Sequence, residues 1–163
     1  MNYLNSIGIT IGILAGILVS LPASLNLISW VCIISWACYY ASGAGVEGLK
    51  KTIASNVTGV LYGFLMVWGA GILGFTYALG VTVAIFAFCM CAQAHINILS
   101  FIPGAFCSAG AYFGAGAKPE ILLAVATSLI LGTVLGYVSD ILGKSIMKKE
   151  KTIVSNKSSG SIS

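Results

Sequence analysis

The stretch that decides the fold is residues 95–106, HINILSFIPGAF, which places the only histidine of the chain, an asparagine and a Pro-Gly pair within apolar sequence. A related pattern, LNLISW, occupies residues 25–30 at the head of an earlier apolar segment. When the chain is aligned with itself at an offset of 71 residues, Asn26 pairs with Asn97 and Ser29 with Ser100. The two stretches are therefore predicted to be copies of one structural element.

The repeat continues beyond these stretches at an offset of 73 residues. The two additional residues must enter between the blocks of matches, where Pro103 and Gly104 stand. Each copy contains three apolar segments, and an odd number makes the second copy enter the membrane from the opposite side, so the copies are predicted to be inverted. The matched pairs are Tyr39 with Tyr112, Tyr40 with Phe113, Gly43 with Gly116, Ala44 with Ala117, Glu47 with Glu120, Leu49 with Leu122, Ser55 with Ser128, Gly59 with Gly132 and Gly63 with Gly136.

The composition is typical of a membrane protein, because 58% of the 163 residues are hydrophobic and 7% are charged. A membrane-spanning helix needs about 20 apolar residues, and six such segments are present, at 6–21, 25–42, 52–73, 77–94, 96–114 and 120–141. The predicted fold is an all-α membrane protein whose six transmembrane helices form two inverted three-helix repeats, residues 1–73 and 74–143. The fifth helix should be kinked or broken at Pro103 and Gly104, since proline removes a backbone hydrogen bond.

The lysines predict the orientation, because the chain has no arginine and positively charged flanks stay in the cytoplasm. The segment that begins the chain has no Lys or Arg ahead of it, so it is interpreted as the first span and not as a signal peptide. Both termini are predicted to be cytoplasmic, and residues 144–163 form a Lys- and Ser-rich cytoplasmic tail that is expected to be disordered. Lysines on the predicted inner side are Lys50, Lys51, Lys144, Lys148, Lys149, Lys151 and Lys157, and Lys118 lies opposite.

Polar residues around the two copied stretches are candidates for a solute path. Asn26 and Asn97 each stand where a helix is expected to begin, so capping of the helix N-terminus is one interpretation and solute binding the other. Backbone groups freed near Pro103 must find a partner in protein or in a wet cavity. The proposed path contains Ser24, Asn26, Ser29, Gln93, His95, Asn97, Ser100, Pro103 and Gly104.

Glycines four residues apart predict close helix packing, because small residues let helix backbones approach in lipid. Gly59 and Gly63 are expected to meet Gly132 and Gly136 across the pseudo-axis, since the third and sixth segments are repeat mates. The series Gly8, Gly12 and Gly16 aligns with Leu79, Val83 and Ala87 and is assigned to an oligomer interface.

Asn56 and Thr58 have no polar counterparts in the second copy, where Leu129 and Leu131 stand at the corresponding positions. They serve either helix-helix hydrogen bonds or an asymmetric pore, and the sequence leaves both open.

Several chemistries find no support in the sequence. The five cysteines lie within apolar segments and are interpreted as small apolar fillers, with no metal, cofactor or redox role. No span is expected to contain a buried acid, which disfavours a proton-driven pump. A lone histidine with no acid beside it does not suggest an enzyme. The expected partners are the lipid bilayer, further copies of the chain and a small-molecule solute, with no nucleic acid.

Residues 25–30 and above all residues 91–113, CAQAHINILSFIPGAFCSAGAYF, resemble the YcdZ-like bacterial inner-membrane proteins of the DUF1097 family. The most specific part of the likeness is the pattern of Gln93, Ser100, Phe101, Pro103, Gly104 and Phe106. The resemblance implies a multi-pass protein of the bacterial inner membrane, and it implies no activity.

The leading functional hypothesis from the sequence is a channel or facilitative transporter for small neutral or weakly polar solutes. The alternative is a membrane scaffold or accessory subunit without transport activity. The channel hypothesis predicts polar residues that converge on a shared interior surface. The scaffold hypothesis predicts a closed interior and an exposed stripe of small residues.

Overall fold

The computed structural model describes residues 3–22 and 26–159, with side chains described as far as residue 147. The described residues form helices and contain no strand. The six α-helices are α1 (Tyr3–Val19), α2 (Ser29–Ala41), α3 (Gly45–Leu73), α4 (Ala78–Ala92), α5 (Ile102–Gly114) and α6 (Leu122–Ser159), and short 3-10 turns occupy Gln93–His95, Asn97–Leu99 and Pro119–Ile121.

The helices differ in whether they are long enough to cross a membrane. Three apolar stretches of the described residues have the required length, Gly45–Leu73, Ala78–His95 and Pro119–Met147. The helices α2 and α5 contain only 13 residues each, which gives about 20 Å at helical rise against a hydrocarbon core of about 30 Å. The helix α1, with 17 residues, is also shorter than the three stretches above. The all-helical fold thus combines three long helical stretches, one helix of intermediate length and two short ones.

The fifth helix differs from its prediction. No kink occurs at Pro103, because α5 begins at Ile102 and Pro103 occupies its first turn. A proline is well tolerated there, since its missing N–H would have no partner inside the helix. The irregular backbone precedes the proline, in the two 3-10 turns between Gln93 and Leu99.

Non-helical backbone also precedes the helix α2, which the sequence did not predict. It begins at Ser29 after Ile28, whose backbone is extended. Because α2 and α5 have equal lengths and begin 73 residues apart, the additional residues of the second copy lie before α5 and not at Pro103.

The long helices α3 and α6 form the centre of the fold. The short helix α2 packs along α6 and α5 packs along α3, while α1 lies on α6 and α4 lies on α3. Each short helix therefore packs on a long helix from the other half of the chain. The bundle thus consists of two similar helix pairs, α2 with α6 and α5 with α3, which meet where α3 packs on α6.

Glycines of α3 and α6 allow this close packing, but not by meeting each other as predicted. A methyl group on Gly132 would collide with the backbone of Cys32 in α2, and one on Gly59 would collide with the backbone of Ala105 in α5. One turn further, Gly136 lies under the ring of Tyr39. Gly63 lies in the same way against Ala109 and Tyr112. The short helices thus pack directly against the glycines of α3 and α6.

Two turns at the ends of the short helices have the same geometry. Gly43 and Ala44 have φ of 100° and 55°, and Gly116 and Ala117 have φ of 105° and 52°. In each turn the alanine N–H closes the helix end, because it donates to a carbonyl five residues back, over 3.2 Å for Ala44 and 3.0 Å for Ala117. This left-handed helix ending satisfies carbonyls that would otherwise be unpaired.

The outer helices are related in the same way. Thr10 in α1 donates to the carbonyl of Ser139 over 3.0 Å, and Thr82 in α4 donates to the carbonyl of Met66 over 2.8 Å. The two threonines are 72 residues apart, and Gly8 and Gly80 have the same spacing. A methyl group on either glycine would meet open space.

The same is true of Gly12 and Gly16, so the glycine series of α1 faces outward. At the other end of the chain, α6 stays helical through Ser159. It extends over most of the segment for which the sequence predicts disorder.

The backbone contacts predict a large difference between glycine positions. We expect Gly132→Ala and Gly59→Ala each to lower the free energy of unfolding by about 2 kcal/mol or more, because the added methyl group forces two helices apart. The matched control Gly71→Ala, at a glycine of α3 where a methyl group would meet open space, should leave it unchanged or raise it by up to about 1 kcal/mol, since alanine is the better helix former. Thermal unfolding of purified protein in detergent measures the difference, and equal stabilities of the three variants would contradict the packing.

Candidate polar site at the centre of the bundle

A cluster of uncharged polar side chains occupies the centre of the fold. Asn56 of α3 has 1% of its surface exposed. Its Nδ2 donates to Ser35 Oγ of α2 over 2.7 Å and lies 3.5 Å from Thr133 Oγ1 of α6. Its Oδ1 accepts a hydrogen bond of 3.1 Å from Ser108 Oγ of α5. One amide group therefore joins four helices.

The cluster lies at the middle of the short helices, because Ser35 and Ser108 are each the seventh of 13 residues. The two serines hold the same position in helices of equal length, and both bond to the same amide. Asn56 has no polar equivalent, since Leu129 stands at the corresponding position. Hydrogen bonding between helices is thus the observed role of Asn56.

Every side chain in this cluster has a protein partner. Ser35 and Thr133 share a hydrogen bond of 2.6 Å, and both hydroxyls also reach the carbonyl of Leu129. Ser108 donates to the carbonyl of Gly104 one turn earlier. The hydrogen-bonding groups at this depth are therefore satisfied within the protein.

Thr58, which also aligns with a leucine in the second half of the chain, does not belong to the cluster. Its hydroxyl donates to the carbonyls of Ala54 and Ser55 in its own helix. The pair that the sequence grouped together is separated by the helical rotation between the two positions.

The residues predicted to line a path are mostly not brought together. Ser24 lies outside the described residues. Gly104 alone reaches the central cluster, since a methyl group there would lie 3.1 Å from Asn56 Oδ1. Gln93 is buried, Ser29 and Ser100 are half-buried, and Asn26, His95, Asn97 and Pro103 are exposed.

The capping prediction for the two asparagines is wrong. The residues that precede α2 and α5 are Ile28 and Phe101, and neither helix has a side-chain cap. Asn26 instead takes a left-handed backbone, with φ of 51°, a conformation that asparagine tolerates better than most residues. The N–H of Ile28 is satisfied from another helix, by Ser128 Oγ over 2.9 Å.

A groove lies beside Asn26, at the end of the bundle where α6 begins. Its volume is about 760 Å³, and it is open to the surface. Asn26 and Ile28 form one wall, and Lys118, Glu120 and Thr127 belong to the other. The groove thus combines an amide, two opposite charges and apolar surface.

The structure also places a buried acid where the sequence predicted none. Asp140 in α6 has 1% of its surface exposed. Its carboxylate accepts hydrogen bonds from Tyr3 over 2.9 Å, Tyr39 over 3.1 Å and Lys144 over 2.6 Å. Tyr39 in turn accepts one from the N–H of Gly45. The carboxylate joins three remote segments, a grouping that only the folded chain produces.

The cysteines vary in their surroundings. Cys32 and Cys38 are buried, Cys89 is half-buried, and Cys91 and Cys107 are exposed. Among the described residues, no group of three or more His, Cys, Asp and Glu side chains could hold a metal ion.

Comparison with known proteins places the chain among bacterial membrane proteins. The model of a family described as "Protein of unknown function (DUF1097)" matches residues 8–144. The chain is 37% identical over 139 residues to "Inner membrane protein YcdZ" of Escherichia coli strain K12, with 84% of this chain and 83% of that protein covered.

Two further relatives agree with this placement. The protein of the same name from Salmonella typhimurium strain LT2 is 34% identical over 139 residues, with 84% of this chain and 85% of the relative covered. "Uncharacterized protein YahC" of Escherichia coli strain K12 is 28% identical over 158 residues, which cover 90% of this chain and 94% of the relative. No solved structure matches the chain.

The central cluster predicts a measurable contribution from Asn56. Asn56→Leu should lower the free energy of unfolding by about 1 kcal/mol, because hydrogen bonds between helices in lipid have about this strength. Thr58→Val is the matched control and should change it by less than about 0.5 kcal/mol, since Thr58 bonds only within its own helix. Denaturation of the two variants in the same detergent provides the comparison, and a larger loss in the Thr58 variant would contradict the assignment.

Proposed function

This chain belongs to the DUF1097 family, whose named relatives are inner-membrane proteins, and we propose that it is a channel or facilitative transporter for small neutral or weakly polar solutes. Its partners in this proposal are the lipid bilayer, further copies of the chain and the solute. No enzymatic step, cofactor or nucleic acid belongs to the proposal.

The proposed architecture is a pair of inverted three-helix repeats. Its support is the set of equivalent contacts, in which Gly132 on Cys32 corresponds to Gly59 on Ala105. The matching left-handed turns and threonine hydrogen bonds add to that support. Inverted repeats with interrupted helices are common in secondary transporters, which bind their substrate near the middle of the bilayer at the repeat interface.

The observation that carries the proposal is the meeting of Ser35 and Ser108 on Asn56. It supplies hydrogen-bond donors and acceptors halfway along both short helices, where the two proposed repeats would meet. Backbone that is not helical is tolerated at membrane depth where it lines a cavity or is buried in protein, and both short helices follow such a stretch. We interpret the observed structure as a closed state of the path.

The cluster also indicates the class of solute. An amide and three hydroxyl groups can both donate and accept hydrogen bonds, and none of them carries a charge. An ion at this depth would need a compensating charge, whereas a neutral solute needs only an exchange of hydrogen bonds. Urea, formamide and glycerol have the appropriate chemistry.

The proposed topology is six membrane-crossing segments with both termini in the cytoplasm. It rests on the lysines that flank the second and sixth segments. The segment around α2 crosses with the help of the irregular backbone before Ser29, and the one around α5 does so with the 3-10 turns.

A reporter fused to the C-terminus tests this topology. We expect green fluorescent protein to fluoresce there and alkaline phosphatase to stay inactive, because only a cytoplasmic end supports the former and excludes the latter. Active phosphatase at the C-terminus, in cells with normal amounts of the fusion protein, would contradict the proposal.

Transport is tested with purified protein in liposomes, by stopped-flow light scattering after mixing with urea, formamide or glycerol. We expect the protein to accelerate equilibration of at least one solute several-fold over protein-free liposomes. Asn56→Leu should change that rate several-fold, because it removes the central amide, whereas Thr58→Val should not. Rates equal to those of protein-free liposomes, with folded protein in the membrane, would exclude the channel for these solutes.

Two observations favour a second candidate, a scaffold or accessory subunit. The polar groups of the central cluster bond to one another, as a closed interior requires. Gly8, Gly12 and Gly16 form an exposed stripe on α1 that contacts nothing within the described part of the chain. Small residues at this spacing let another helix approach closely in lipid. The stripe could bind a second copy of the chain or a different membrane protein, and a flat result in the liposome assay would favour this role.

A further inference from the structure

Two buried residues, one in α3 and one at the end of α4, have polar groups without partners among the described residues. Gln93 has 7% of its surface exposed. Among the described residues, neither its Nε2 nor its Oε1 has a hydrogen-bond partner. Ser55 Oγ is buried in α3 and has no partner either. Buried polar groups are nearly always hydrogen-bonded, so Gln93 and Ser55 are candidates for contact with a bound molecule.

The packing of α3 on α4 places the two residues opposite each other. The two helices run antiparallel, with Thr82 bonded to the carbonyl of Met66 and the ring of Phe86 5.8 Å from that of Tyr62. Seven residues further along each helix from Tyr62 and Phe86 are Ser55 and Gln93. Because seven residues make about two turns of helix, Ser55 and Gln93 lie on the same facing surfaces.

We propose that Gln93 and Ser55 bind a small uncharged molecule of the primary-amide or urea class. A carboxamide presents an N–H donor next to a carbonyl acceptor. Another primary amide presents the complementary pair, so the two groups can form a double hydrogen bond. The hydroxyl of Ser55 supplies a third contact, and the absence of charge on either residue disfavours an ionic ligand.

The inference deepens the proposed function and rests on it for the role of the site in transport. Ser55 directly precedes Asn56, so the site lies next to the central cluster on an adjacent face of α3. A solute held by Gln93 would lie at the end of α4 that the topology places on the cytoplasmic side. The central cluster would then be the next group of hydrogen-bonding partners along the path.

Binding is tested by thermal unfolding of the full chain in detergent with increasing acetamide. N,N-dimethylacetamide is the matched ligand control, because it keeps the carbonyl and lacks the N–H donors. We expect acetamide to raise Tm relative to N,N-dimethylacetamide. Gln93→Met, which keeps the length of the side chain, and Ser55→Ala should each abolish the difference, and Thr58→Val should retain it.

Two results would overturn the site. If Gln93→Met raises Tm and wild-type protein shows no difference between the two amides, Gln93 is an unpaired group without a ligand. If Gln93→Met lowers Tm and the two amides again act alike, a resident water molecule satisfies the group and no solute binds there.

A liposome assay with acetamide separates this inference from the proposed function. An acetamide-specific rise in Tm without acetamide flux leaves the binding site in place and contradicts acetamide transport. Flux that Gln93→Met does not alter, together with no specific rise in Tm, contradicts the site and leaves the channel in place. Flux that Gln93→Met reduces several-fold, together with the specific rise in Tm, supports both.

Discussion

The rest of the structure depends on backbone contact at Gly59 and Gly132. In lipid, helices gain little from the hydrophobic effect when they associate, so close packing and hydrogen bonds must hold them together. At each of these glycines a short helix approaches so closely that even a methyl group would collide with its backbone. This approach brings the middle of α2 and α5 to the centre of the fold.

The central cluster follows from that approach. Serine has a short side chain, so Ser35 and Ser108 can reach the amide of Asn56 only if their helices lie close to α3 and α6. The amide then occupies both serines at once, through its nitrogen and its oxygen. Similar backbones therefore surround a site whose polar residues are not symmetric, since Asn56 and Thr133 have apolar equivalents, Leu129 and Val60.

The ends of the short helices are fixed by different chemistry. At their C-terminal ends, Gly43 and Gly116 allow the left-handed turns that close both helices. At one of these turns the buried Asp140 adds a second constraint, because it joins α1, α2 and α6 through tyrosines. The unpaired amide of Gln93 contrasts with this cluster. The cluster around Asp140 is thus held by satisfied polar groups, while the amide of Gln93 has no partner within the described part of the chain.

The sequence alone determined the all-helical membrane class and the family, because apolar length, composition and characteristic residue patterns are local properties of the chain. It also identified Gly59, Gly132 and Asn56 as unusual residues. It misplaced the break at Pro103, because proline is tolerated in the first turn of a helix and disruptive only further inside it. It left capping and solute binding open for Asn26 and Asn97, because the local sequence does not fix the residue at which a helix begins. Only the tertiary structure decided that the glycines receive α2 and α5, that Asn56 joins two equivalent serines, and that Asp140 is buried. Each of these depends on contacts between residues far apart in the chain, which exist only when the helices have packed.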